Sequence, residues 1–133
     1  MVMTFDELVE EKDVGEKSAV RALQAWIYLI AKASNRQIVR YKELCDLMGY
    51  SDARPLGWIL GCIMYYCEQN DLPPLTIIVV NEKGIPGSGF TSVDWEEYHQ
   101  AREKVFSYPW YKIVPPTIDE LKRAREIGQT GDE

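Results

Sequence analysis

The residues able to act as a nucleophile and a base are few in this chain. It contains three cysteines, Cys45, Cys62 and Cys67, and a single histidine, His99. A cysteine attacks as its thiolate, which needs solvent access and a nearby base or cation. All three cysteines fall on the apolar faces of predicted helices. We therefore expect buried free thiols in a reducing compartment and no Cys–His catalytic pair.

Other ligand-binding chemistry is equally sparse. The sequence has no CxxC pair to accompany its single histidine, so we expect no metal site. Residues 84–89 contain three glycines, but the Lys-Ser/Thr that completes a phosphate-binding loop does not follow them. This segment is predicted to be a turn. The sequence thus predicts no bound cofactor.

Basic side chains are concentrated in one part of an acidic chain. The 133 residues carry a net charge of −6, yet residues 17–54 alone sum to +4. Residues 1–16 sum to −5, as does the part of the chain after residue 54. Lysine and arginine bind the phosphates of nucleic acids, so the basic segment is a candidate DNA interface. The overall charge argues the other way and suits a basic protein partner.

Two short amphipathic helices joined by a tight turn are predicted within this region. Their apolar residues recur three or four positions apart: Leu44, Leu47, Met48, and then Leu56, Ile59, Leu60, Ile63 and Cys67. Gly49 can end the first helix, and Ser51 or Asp52 can cap the second. Pro55 suits a first helical turn. The pattern predicts a helix-turn-helix over residues 41–67, with an ordinary helical hairpin in a core as the alternative.

A β-hairpin is predicted after the second helix. Residues 75–80, LTIIVV, form a largely β-branched run typical of a strand that is covered on both faces. A turn at 81–84 leads to residues 85–91, whose Pro86 and Gly87 make a weak return strand. The predicted fold is therefore mainly α with a small β-hairpin, a winged helix-turn-helix with extra C-terminal helices.

The remaining segments complete one domain. A helix is predicted from Glu16 to Ala33, and two later helices begin at the capping boxes Asp94–Glu97 and Thr117–Glu120. We expect Trp95 and Trp110 to pack in a core rather than to stack on bases. The predicted divisions are an acidic arm at 1–16, mobile or forming one short helix, a winged-helix-like domain at 17–127 (helix-turn-helix 41–67, strand and wing 75–91, C-terminal helices 94–106 and 117–127), and a disordered tail at 128–133.

Targeting signals are absent from the sequence. No apolar run is long enough to span a bilayer, and no basic segment followed by an apolar one stands at the start. We therefore expect no membrane partner and a cytoplasmic location.

The order of these elements resembles the DNA-binding domain of the alkylguanine-DNA alkyltransferases and the alkyltransferase-like proteins. The likeness covers about residues 20 to 90. It is carried by Trp26, Val39, Arg40, Tyr41, Lys42, Glu43, Leu44, Gly49, Ala53, Arg54, Gly57, Asn70, Pro73, Val79, Val80, Gly84 and the run from Gly87 to Phe90. In that family an arginine at the start of the second helix fills the gap left by a flipped base, and a tyrosine presses on the rotated phosphate. The resemblance gives these roles to Arg54 and Tyr41.

The chain departs from this family at the reactive residue. The family carries a Pro-Cys-His-Arg run just before the Val-Val pair, and here Leu75, Thr76, Ile77 and Ile78 stand in its place. Alkyl transfer needs a thiolate activated by a base, so we expect no such reaction and no enzymatic activity. The segment after Asn70 is also about two residues shorter, which puts a pocket for a flipped base in doubt.

The resemblance implies a non-enzymatic winged-helix protein that binds duplex DNA. The residues expected at the interface are Arg36, Arg40, Tyr41, Lys42, Arg54, Gly57, Trp58 and Ser88. Gly57 and Gly61 would let the helix backbone approach DNA closely, with tight helix packing as the alternative reason for them. The alternative function is an acidic protein-binding module, of inhibitor or immunity type, that uses the same scaffold to bind a basic protein.

Overall fold

The computed structural model describes residues 1–11, 14–87 and 90–131, and it is mainly helical. The helices are α1 (Phe5–Glu11), α2 (Val14–Ser34), α3 (Tyr41–Met48), α4 (Arg54–Gln69), α5 (Tyr98–Ser107) and α6 (Ile118–Gly131). Two short strands, β1 (Val39–Arg40) and β2 (Val79–Val80), and three 3-10 segments, Leu75–Ile78, Trp95–Glu97 and Trp110–Lys112, complete the fold. The helix predicted from residue 16 to 33 is confirmed, and the acidic arm contains one short helix. Within the described residues, no helix has the length and apolarity needed to cross a membrane.

The core lies between α2, α4 and α6, which pack against one another. Trp26 of α2 is fully buried at its centre. Its ring meets the rings of Tyr66 and Trp110 edge-on, with centroid separations of 5.7 and 5.6 Å. The Trp110 Nε1–H donates to the Val105 carbonyl at 2.8 Å, so this buried indole keeps a hydrogen bond. The prediction for Trp110 is confirmed, whereas Trp95 is 64% exposed and lies outside the core.

The two predicted helices of the helix-turn-helix are present as α3 and α4. Gly49 ends α3 in the left-handed conformation (φ 77°), as predicted. Asp52 receives the Arg54 backbone N–H at 2.9 Å, and Pro55 lies in the first turn of α4. The apolar positions predicted for α4 are all buried, but Leu47 of α3 is 58% exposed.

The small sheet differs from the predicted hairpin. Residues 75–78 form a 3-10 turn, closed by a 2.9 Å bond from the Ile77 N–H to the Pro74 carbonyl, and only residues 79–80 are extended. They pair in parallel with β1, Val39 opposite Val79. The pairing is short because α3 begins directly after β1 and leaves two residues to pair with. The return segment makes one antiparallel bridge, Pro86 to Val80, since proline has no N–H to continue a ladder.

Two helix caps were predicted in the C-terminal third, and the prediction is confirmed at Thr117 and wrong at Asp94. Thr117 and Glu120 exchange the predicted capping-box bonds at 3.0 and 3.1 Å. The Asp94 side chain forms no cap, because the 3-10 turn 95–97 precedes α5 and the Asp94 carbonyl takes the Glu97 N–H instead.

The last helix extends through part of the predicted disordered tail, to Gly131. It packs closely on α4 there: a Cβ built on Gly128 would lie 2.2 Å from Cδ1 of Tyr65. This contact gives residues 128–131 a surface to fold on. Residues 132 and 133 lie outside the described part of the chain.

Candidate nucleic-acid interface

Arg54 begins α4 and extends into solvent, with 90% of its side chain exposed. Asp52 holds it through two side-chain bonds, from Nε to Oδ1 at 3.1 Å and from Nη2 to Oδ2 at 2.7 Å. These side-chain bonds, with the backbone bond to the same carboxylate, lower the pKa of Asp52 to about 2. Because the pair lies in water, the guanidinium can exchange this carboxylate for another anion such as a phosphate.

A cavity of about 410 Å³ lies beside Arg54. Helices α4 and α6 form its sides, and the start of α3, Thr76 and the segment around Gly87 and Phe90 complete it. In the described part of the chain its lining includes two arginines and three aromatic rings but no aspartate or glutamate. It is thus a partly aromatic cavity lined by two arginines, of which Arg54 is paired with Asp52. Of residues 75–78, only Thr76 lines it.

Tyr41 connects the first helix of the motif to the segment after β2. Its hydroxyl accepts the Gly87 N–H at 3.1 Å. A Cβ built on Gly87 would lie 2.5 Å from this oxygen, so only glycine fits here without a shift of the tyrosine ring. The phenol therefore lies at the cavity beside Arg54.

Gly57 and Gly61 lie on the cavity side of α4 for different reasons. A Cβ on Gly57 would meet no heavy atom within 4 Å, so helix packing does not explain this glycine. A Cβ on Gly61 would lie 3.4 Å from Nε of Arg125, an ordinary van der Waals contact, so the helix is covered there although packing does not require glycine. Of the two, only Gly57 offers open backbone to a ligand.

Trp58 is partly exposed and covered by a residue from α6. The Arg125 guanidinium lies 3.4 Å from the centroid of its ring, a close cation–π contact. Arg125 also lines the cavity, whereas Trp58 lines smaller cavities next to it. Trp58 therefore does not line this cavity itself, but it contacts Arg125, which does.

Among the described residues, the other predicted DNA-binding residues Arg36, Arg40 and Lys42 do not line this cavity. Arg36 forms an ion pair of 2.5 Å with Glu103 and lines a separate open cavity with Lys32 and Arg102. Arg40 donates to the carbonyls of Asn81 and Glu82 at 3.1 and 3.2 Å, which fastens the turn after β2. Lys42 is exposed on α3. Ser88 lies outside the described residues.

Two residues at the cavity had not been identified from the sequence. Thr76 is the one polar residue in LTIIVV, and a polar residue within a buried apolar run is a signal that could have indicated it. Arg125 gave no comparable signal, because its position depends on how α6 packs on α4. It is one of several charged residues on an amphipathic helix.

The cysteines are free and buried, as predicted. Burial raises the pKa of Cys62 to about 11 and that of Cys67 to about 12. Burial also raises the pKa of Cys45. At neutral pH all three are thiols, which are weak nucleophiles.

No family model, curated protein or solved structure matches the chain. The relationship to the alkyltransferase-like proteins stays a prediction from the residues named for it.

Proposed function

We propose that the chain is a non-enzymatic protein that binds duplex DNA with the N-terminal end of α4, in the manner of the alkyltransferase-like proteins. One observation carries the proposal: the exposed Arg54 adjoins a cavity of about 410 Å³ whose described lining has no carboxylate. This volume falls within the range of about 300–1,000 Å³ common for small-ligand sites. An arginine in this position can pair with a phosphate or stack on a base.

The surroundings of Arg54 fit a nucleic-acid backbone. The ion pair with Asp52 is exposed, so DNA phosphates can replace the carboxylate with little loss of interaction free energy. The Tyr41 phenol lies at the same cavity, and Gly57 leaves the helix backbone uncovered. The cavity would receive an unstacked base, whose removal from the duplex requires a few kcal/mol that such contacts offset.

Binding is favoured over catalysis by the groups at the cavity. Thr76 stands where the resembling family has its reactive cysteine, and Thr76 has no histidine beside it in sequence. The cysteines of the chain are buried thiols with raised pKa values. None of the three cysteines is therefore available as an activated nucleophile for covalent transfer of an alkyl group.

The test is fluorescence anisotropy with a labelled duplex at low and high salt. We expect binding that weakens with salt, and an Arg54→Ala variant that binds about tenfold or more weakly. Arg123→Ala is the matched control, because Arg123 is also exposed and also paired with a nearby aspartate, Asp119. Undetectable binding at low salt, or equal affinities for the two variants, would contradict the proposal.

A basic protein partner is the second candidate. It is favoured by the net charge of −6 and by the exposure of large apolar side chains in the C-terminal third: Trp95, Tyr111 and Val114. A stoichiometric complex with one basic protein, lost in Trp95→Ala or Tyr111→Ala but kept in Arg54→Ala, would support this function. Recovery of nucleic acid alone would count against it.

A further inference from the structure

Phe5, the first residue of α1, packs on a basic side chain of α2. The centroid of its ring lies 3.7 Å from Cζ of Arg21, a close cation–π contact. Arg21 donates from Nη1 to Gln24 at 2.9 Å and from Nη2 to the Met48 carbonyl at 3.2 Å, which fixes its position. Its Nε atom is buried and has no hydrogen-bond partner among the described residues. The acidic arm thus covers one cation of the basic segment 17–54.

The same phenylalanine lies at the N-terminal end of α4. Phe5 lines a cavity of about 260 Å³ together with Tyr50, Pro55 and Trp58. Pro55 directly follows Arg54 in the chain. The contact therefore brings α1 to the end of α4 that carries the proposed DNA contact.

The charge of α1 is opposite to that of the segment it covers. The helix has seven residues, of which four are acidic and none is basic: Asp6, Glu7, Glu10 and Glu11. A helix of this length extends for only about 10 Å, so the backbone positions of all four lie within about one Debye length of Phe5 at 0.1 M salt. Their negative charge there opposes the approach of a phosphate.

The attachment of α1 is weak enough to be reversible. The Thr4 hydroxyl caps the helix by accepting the Glu7 N–H at 3.2 Å. A single helix of two turns is nevertheless unstable in water without tertiary contacts. Phe5 and Leu8 are half-buried and supply such contacts, whereas residues 1–4 are exposed. Loss of the Phe5 contact should therefore release the arm.

We propose that α1 is an autoinhibitory segment, which Phe5 holds over Arg21 and whose carboxylates oppose the approach of duplex phosphates to Arg54. DNA that binds would displace α1, uncover Arg21 and remove negative charge from the interface. The apparent affinity of the intact protein is then reduced in proportion to the fraction of molecules whose α1 is released. This inference rests on the proposed function, because it concerns the same end of α4.

Anisotropy titrations of one fully paired duplex compare the intact protein with Phe5→Ala. This variant removes the ring that contacts Arg21 but keeps every charge of the arm. Met3→Ala is the control, because Met3 is an exposed apolar residue of the same arm. We expect Phe5→Ala to bind at least about threefold more tightly than Met3→Ala at low salt.

A second variant keeps Phe5 and removes three charges of α1 instead: Asp6→Asn, Glu7→Gln and Glu10→Gln. Its control removes three exposed charges just before α5: Asp94→Asn, Glu96→Gln and Glu97→Gln. The two variants have the same net charge. We expect the α1 variant to bind at least about threefold more tightly than this control, with a smaller difference at high salt, where charges are screened.

Hydrogen exchange of the intact protein tests the displacement itself. The amides of residues 5–11 should exchange faster when duplex is present at saturation, because α1 leaves its place. If these amides exchange no faster with DNA, or if both α1 variants bind like their controls, this inference is wrong and the proposed function stands. If the intact protein binds no duplex at low salt, the proposed function fails and the inference fails with it.

Discussion

The backbone N–H of Gly87 donates a 3.1 Å hydrogen bond to the hydroxyl of Tyr41, which lies 46 residues earlier. This bond joins the first turn of α3 to the segment after β2, across the cavity beside Arg54. It holds together two parts of the chain that the short sheet alone connects weakly.

Tyr41→Phe should lower the free energy of unfolding by about 1 kcal/mol, because the partly buried Gly87 N–H loses its acceptor. Urea denaturation followed by circular dichroism measures the change. Tyr111→Phe is the control, since Tyr111 is exposed and should tolerate loss of its hydroxyl. Equal stabilities of the two variants would show that the bond contributes nothing.

Gly57→Ala should stabilise the protein by up to about 1 kcal/mol, since alanine favours a helix and its Cβ meets nothing within 4 Å. Under the proposed function the same change should weaken DNA binding, because the methyl group would stand between the helix backbone and the duplex. Denaturation and anisotropy titrations of one preparation give both values. Gly61→Ala, next to Arg125, should gain less stability. A stabilised Gly57→Ala variant with unchanged affinity would remove Gly57 from the interface.

Asp52→Asn should reduce stability at neutral pH, and the difference from the unmodified protein should disappear in acid. The bonds from Arg54 lower the pKa of Asp52 to about 2 from an ordinary value of 3.8. A carboxyl with a lowered folded-state pKa stabilises the fold above its unfolded pKa, and this contribution is lost as the pH falls. Thermal midpoints of both proteins should therefore converge between about pH 4 and pH 2. A constant difference over this range would mean that the charge of Asp52 is irrelevant.

Alkaline solutions should destabilise the fold through its buried thiols. Their ordinary pKa is 9.0, but burial raises that of Cys62 to about 11 and that of Cys67 to about 12. Above about pH 9 the unfolded chain releases protons that the folded chain still holds, so the free energy of unfolding falls as the pH rises. Urea denaturation at about pH 8 and pH 10.5 should show this loss, and it should be smaller in Cys67→Ala. An identical loss in that variant would assign the effect to other groups.

The helices were predictable because their signals are local. Apolar residues three and four apart located α2 and α4, Gly49 located the end of α3, and Thr117 with Glu120 located the start of α6. Leu47 was placed wrongly because periodicity gives a helix face but not the width of the surface that covers it.

The strand and the cavity depend on contacts that local patterns do not contain. A run such as LTIIVV predicts burial correctly, but a 3-10 turn and a strand bury the same residues. The choice between the 3-10 turn and the strand depends on β1, a distant element with only two residues to pair with. The cavity requires α6 to pack along α4, so Arg125 could not be assigned to it from the sequence, whereas Thr76 stood out as the polar residue of an apolar run.

The contact of Gly128 with Tyr65 determines when the cavity is completed during synthesis of the chain. Tyr41, at the start of α3, and Arg125, on the last helix, line the same cavity. During translation the ribosome releases α3 and α4 long before α6. The nascent chain would therefore carry an exposed Arg54 without a finished cavity until α6 has left the ribosome and packed against Tyr65.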